Sequence, residues 1–204
     1  MSDYLTIDEL KYTLEASGQQ FFDNDAQAAI TAASRGIDEY TSRIFYSSSG
    51  TRYYTPEDRY CVEVDDIVSL GTFGLDWNRD GTYSTVWTQG THYNLAPYNN
   101  PTLGKPYESV ELIKYSGAFF PPWQLGYGKS VRLIGTFGWS STPAPVKQAC
   151  TILATKLMRR AREAPFGVVG IGYDQTAVRI SKAADPDICF LLDPFVKDRG
   201  ALAA

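Results

Sequence analysis

The chain has 204 residues, 44% of them hydrophobic and 21% charged, an ordinary globular balance with length for one core plus a sizeable insertion. Its formal charge of -4 argues against a general nucleic-acid coat, which needs a cationic surface. No apolar run approaches the roughly 20 residues that span a bilayer, so no membrane partner is expected. The N-terminal MSDYLTIDEL lacks a basic segment followed by an apolar core, so no signal peptide is expected and folding belongs in a cytosol. The three cysteines, Cys61, Cys150 and Cys189, are far apart with no CxxC pair. They suggest neither a zinc site nor a disulfide framework, and read as small buried hydrophobes in a reducing compartment.

Thr6-Ile7-Asp8-Glu9 is a capping-box pattern and predicts a first helix from about Ile7 to Ala16, ended by Gly18. Asn24 or Asp25 is placed to cap a second helix whose apolar face is Ala26, Ala29, Ile30, Ala33, Ile37, Tyr40 and Ile44. Ser47-Ser48-Ser49-Gly50 then breaks the helical period. From Thr51 to Trp139 the character changes, and all four tryptophans fall in this stretch. Tyr60–Leu70, Tyr83–Thr88, Thr91–Leu95, Ser109–Lys114 and Val131–Phe137 read as strands, punctuated by Gly, Pro and Asn clusters at Tyr98–Pro106 and Phe119–Gly128.

Gly138 marks a corner before Trp139, where a Cβ would clash. Ser141 or Thr142 as cap, with Pro143 or Pro145 in the first turn, opens a long helix. Val146, Ala149, Cys150, Leu153 and Leu157 form its buried stripe, and Lys156, Arg159, Arg160 and Arg162 crowd its C-terminal end, where cations complement the dipole. Pro165–Gly172 reads as an apolar loop, and Thr176–Ser181 as a lone strand. Asp185-Pro186 starts a short helix bearing Ile188, Leu191, Leu192 and Phe195.

The fold class expected is α+β. Two N-terminal helices (residues 1–46) and one long helix (141–164) form a small bundle. A β-rich aromatic insertion (47–140) lies between them, and a Gly-rich loop and C-terminal arm (165–204) follow.

Candidate chemistry is sparse. Asp76-Trp77-Asn78-Arg79-Asp80-Gly81 matches the opening of a calcium loop, which makes Asp76, Asn78 and Asp80 a weak cation-site candidate. The twelfth position, where an EF-hand needs a bidentate Glu, is Trp87, so a polar hairpin turn is the stronger reading. His92, the single histidine, is expected on the surface of a half-buried strand. Gly167, Gly170 and Gly172 do not form a dinucleotide fingerprint. Asp65 and Asp66 are expected on opposite faces of a strand, poor geometry for shared acid–base work. No catalytic set and no cofactor is expected. The acidic first 50 residues, Asp38 and Glu39 among them, suit contact with the basic helix end, within one subunit or between neighbours.

The residues Phe137-Gly138-Trp139, Pro145 through Ala149, Arg159-Arg160-Ala161-Arg162, and Asp185-Pro186-Asp187 with Leu191-Leu192 occur in a particular order. In that order they resemble the head-to-tail connector (adaptor) proteins of long-tailed bacteriophages, over roughly residues 3–46 and 130–197. The insertion is larger than in the smallest members. The resemblance implies a non-enzymatic ring of about twelve copies beneath the portal, extending the DNA channel toward the tail. Its implied partners are itself, the portal protein and the next neck or tail-completion protein, with double-stranded DNA passing without sequence-specific binding. Its implied place is the virion neck, after assembly in the host cytoplasm. The family's C-terminal segment reaches the portal, which points to Asp185, Pro186, Ile188, Leu191, Leu192 and Phe195 as docking residues. Lys156, Arg159, Arg160, Arg162, Asp38 and Glu39 become inter-subunit or channel candidates. The alternatives are another neck or tail component (stopper or tail terminator), or a carbohydrate- or peptide-binding module using the aromatic insertion.

Overall fold

The computed structural model describes residues 2–15, 23–163, 168–171, 177–179 and 185–197. In chain order these form α1 (Ile7–Glu15), α2 (Asp23–Thr41), β1 (Ser48–Tyr54), β2 (Cys61–Leu75), β3 (Thr85–Trp87), β4 (Tyr93–Ala96), β5 (Tyr107–Leu112) and β6 (Val131–Phe137). Then come α3 (Ala144–Glu163), β7 (Val168–Ile171), β8 (Ala177–Arg179) and α4 (Pro186–Leu192). The fold is α+β. It divides into two compact units, Met1–Arg43 with Thr142–Ala204, and Ile44–Ser141.

In the helical unit the capping box is made as expected. The Glu9 backbone N–H donates to Thr6 Oγ1 at 3.2 Å, and Thr6 N–H donates to Glu9 Oε2 at 2.9 Å. Helix α1 buries Leu10 and Leu14, and α2 buries Ala26, Ala29, Ile30, Ala33 and Ile37. The end of α1 expected at Ala16 and Gly18 lies outside the described residues. Helix α2 is already formed at Asp23, so Asn24 and Asp25 sit in its first turn rather than capping it. It closes at Thr41, whose hydroxyl donates to the Ile37 carbonyl at 2.8 Å, and this excludes Ile44 from the helix. Tyr40, expected on the buried face, is exposed.

On α3 the unbroken i, i+4 row Val146, Cys150, Ala154, Met158 is buried, together with Ala149. Leu153 and Leu157, expected in the stripe, lie at its margin and are half-buried. Small residues line the contact of α2 with α3: a Cβ on Gly36 would stand 3.7 Å from Leu153 Cδ2, and Ser34 Oγ lies 3.7 Å from Cys150 Sγ. Burial pushes the Cys150 thiol up to about 11, the behaviour of a packing residue and not of a nucleophile. Strand β8 is not alone: it pairs antiparallel with β7, which lies in the run expected to be a loop. Pro165, Gly167 and Gly172 lie outside the described residues.

The second unit is an antiparallel sheet of order β1-β6-β2-β5-β4, with β3 joined to β2. Strand β2, 15 residues long, is its spine, and pairs with β6, β5 and β3. Its core centres on Phe73, whose ring lies 5.1 Å from Trp87, 5.2 Å from Tyr93 and 6.4 Å from Phe120. The Ser47–Gly50 breaker belongs in part to β1, which pairs in continuous register with β6 from Ser48↔Phe137 to Tyr54↔Val131. His92 is in the turn ahead of β4, not on a strand, and its Nδ1 accepts the Thr88 N–H at 3.1 Å.

Candidate functional site

The Gly138-Trp139 corner is built from backbone outward. Gly138 has φ of +95°, and a Cβ there would fall 2.0 Å from the Tyr46 carbonyl oxygen. Its N–H donates to the Asp66 carbonyl at 2.7 Å, and the Trp139 indole N–H donates to Asp66 Oδ2 at 2.8 Å. Trp139 also packs on Phe45, with centroids 5.3 Å apart. Asp65 faces the other way and takes Arg52 at 2.7 Å. The two carboxylates therefore serve two structural tasks and share no site.

The calcium-like segment is a turn. Asp76 is buried, and its carboxylate accepts the Asp80 N–H at 3.1 Å and the Gly81 N–H at 2.9 Å. Gln124, fully buried, donates through Nε2 to the Asp76 and Trp77 carbonyls at 2.5 and 3.1 Å. Asp80 turns to Thr82, and that hydrogen bond draws its carboxyl below the ordinary range; Asn78 is exposed. Among the described residues no three His, Cys, Asp or Glu side chains gather as a metal site, and no described helix is long and apolar enough to cross a membrane.

The charged candidates fall in the helical unit. Asp38 accepts from the Tyr4 hydroxyl and lies 3.0 Å from Arg35, while its burial raises the carboxyl. Glu39, Arg159 and Arg160 are exposed. The side chain of Arg162 lies outside the described residues. Lys156 is an ion-pair partner of Asp185, and Lys147 pairs with Glu9 at 2.5 Å. Glu9 of the acidic N-terminal segment thus meets the start of α3, and Lys156 near the basic end of α3 meets Asp185 of the C-terminal segment. The Glu9–Lys147 link had no local signal, because its partners are 138 residues apart.

The C-terminal segment is anchored at several points. Asp185 caps α4 by accepting the Asp187 N–H at 3.1 Å, with Pro186 in the first turn. Leu192 is 1% exposed and belongs to the core, whereas Ile188, Leu191 and Phe195 are half-buried. Phe195, placed in a 3-10 turn after α4, accepts from Arg43 Nε through its carbonyl at 2.8 Å. The Tyr40 hydroxyl donates to Asp193 at 2.5 Å, and this bond raises its pKa. The Lys197 N–H donates to the Thr41 carbonyl at 2.9 Å. Phe190, missed by the apolar spacing, is the prominent feature of α4: it is 80% exposed. The full set therefore joins a buried anchor, Leu192, to an outward aromatic on the same short helix.

No protein-family model and no curated protein matches the chain. Solved structures do. A chain in "Neck of empty GTA particle computed with C6 symmetry" matches with a TM-score of 0.57 at 14% identity, over 98% of this chain and 93% of that one. A chain in "Virion of native gene transfer agent (GTA) particle" matches at 0.56 and 16%, with the same coverages. A third, in "Neck of native GTA particle computed with C12 symmetry", gives 0.50 and 15% over 99% and 97%. The chain shares its fold with chains in gene-transfer-agent structures. The likeness spans both the helical frame and the sheet, so the insertion is part of the shared architecture.

Proposed function

We propose that this chain is a structural subunit of the neck of a tailed particle, a head-to-tail connector that assembles as a ring. The carrying observation is the end-to-end fold likeness to chains in neck structures computed with C6 and C12 symmetry. Closed symmetry suits a protein whose mechanism is assembly, since each modest contact is repeated around the ring and avidity closes the joint. Net acidity suits a channel wall, because a surface that gripped phosphates would hinder passing DNA.

In this reading α4 and the residues after it, 185–204, dock on the portal. Pro186 and Phe190 present the exposed surface of this segment, Asp185, Ile188, Leu191 and Phe195 contribute half-buried positions to it, and Leu192 holds it to its own subunit. Exposed Arg159, Arg160 and Glu39, together with Lys156, Arg162 and Asp38, serve subunit or channel contacts. The next neck or tail protein meets the ring at its other end.

Native mass analysis of the tagged chain from cells making its particles tests this. The expected result is a complex of about a dozen copies bound to a second ring-forming protein. Truncation before Asp185 should leave rings that no longer carry that partner. A lone 22.6 kDa species would overturn the proposal.

A further inference from the structure

The two edges of the sheet differ. At one end, β4 is four residues long with Tyr93, Leu95 and Ala96 buried; Pro97 follows it, and the Gly90 N–H donates to the Tyr93 carbonyl at 2.8 Å. That edge is short, covered and closed by proline, the ordinary means of preventing strand addition. At the other end, β1 has none of these protections. It runs seven residues in register with β6, without a bulge, a proline or a lysine. Ser48, Ser49, Gly50 and Thr51 are all exposed, and no atom lies within 4 Å of where a Gly50 Cβ would stand. Among the described strands only β6 pairs with it.

The same chain carries a strand pair that needs a partner. Strands β7 and β8 form a sheet of their own, four residues against three, separate from the large sheet. A two-stranded ladder is marginal in water, and a third strand stabilises it. Its sequence, Val168, Val169 and Ile171 with Ala177 and Val178, is rich in β-branched residues.

We infer that the β7–β8 hairpin of one copy adds to the open β1 edge of a second copy, joining neighbours in the ring through a continuous sheet. The inference rests on the ring reading and supplies its contact. The four residues of β7 match the exposed half of β1 in length. Joining a donor hairpin to an acceptor edge is a head-to-tail contact, which builds a ring when the rotation between neighbours closes, whereas β1 meeting β1 would stop at a dimer.

The test uses two full-length variants, Thr51→Cys and Val169→Cys, made singly, co-expressed, and oxidised. Val178→Cys replaces Val169→Cys in a parallel mixture to sample the other strand of the hairpin. Each variant alone controls for Cys61, Cys150 and Cys189. Because the two new thiols are on different chains, a disulfide between them reports only contact between copies. A cross-linked dimer in either mixture, absent from every single variant and reversed by reductant, is the expected result. Rings by native mass with no such dimer overturn the hairpin-to-edge contact and leave the ring standing. Absence of both rings and cross-link overturns both.

Discussion

At the residue scale, Gly138 and Glu9 make opposite kinds of contribution. Gly138 fixes geometry: its positive φ and the 2.0 Å approach of the Tyr46 carbonyl leave no room for a methyl group. Gly138→Ala should lower stability by about 3 kcal/mol or more, because the backbone must move and with it the Trp139–Asp66 hydrogen bond. Urea unfolding measures this, and an unchanged midpoint would mean that the corner relaxes freely. Glu9 contributes charge. Its carboxyl is held below the ordinary value of 4.5, first by the Lys147 hydrogen bond and then by the Thr6 N–H. A lowered folded-state pKa means the unfolded chain binds more protons, so the contribution is complete above about 4.5 and fades as pH falls through the folded value. Glu9→Gln should therefore be less stable than the parent at neutral pH, with the gap closing in acid. A gap constant with pH would remove the electrostatic account. Asp38 runs the other way: burial raises it, so its ionisation opposes folding as pH climbs.

At the element scale, α4 shows how little holds a short helix. Seven residues cannot sustain helix alone, so its cap, its ion pair and Leu192 must do so. Asp185→Ala removes both the acceptor for the Asp187 N–H and the partner of Lys156. A loss of about 1 kcal/mol is expected, confined to α4 and the turn after it. Amide exchange should quicken across residues 187–196 and stay unchanged in α2; equal acceleration in both would contradict local anchoring. The helices were legible in the sequence because a 3.6-residue period survives whatever packs on it, as the row from Val146 to Met158 illustrates. Strand β1 was not legible. Ser48, Ser49 and Gly50 favour turns, and only pairing with β6, more than eighty residues away, makes them extended. Helix α4 was legible from Asp185-Pro186 and the leucines. Phe190 was not, because a single outward aromatic adds nothing to a periodic pattern.

At the scale of the whole molecule, the sheet unit enters and leaves the chain at one place. Phe45, near its start, packs on Trp139, near its end, and Gly138 lies against the Ile44 and Tyr46 carbonyls. Adjacent ends are what an insertion needs if it is to leave the surrounding bundle undisturbed. The unit also holds its own aromatic core, from Val62 through Phe73 and Trp87 to Phe137. Residues 44–141 made alone should therefore fold, giving a single cooperative thermal transition and dispersed aromatic NMR signals. The Gly138→Ala form of the same fragment should melt lower, since its corner ties first residue to last. A fragment with no cooperative transition would show that the sheet depends on the helical frame. In that case the fold shared with the gene-transfer-agent chain, matched end to end, is one folding unit and not a bundle with a separable insertion.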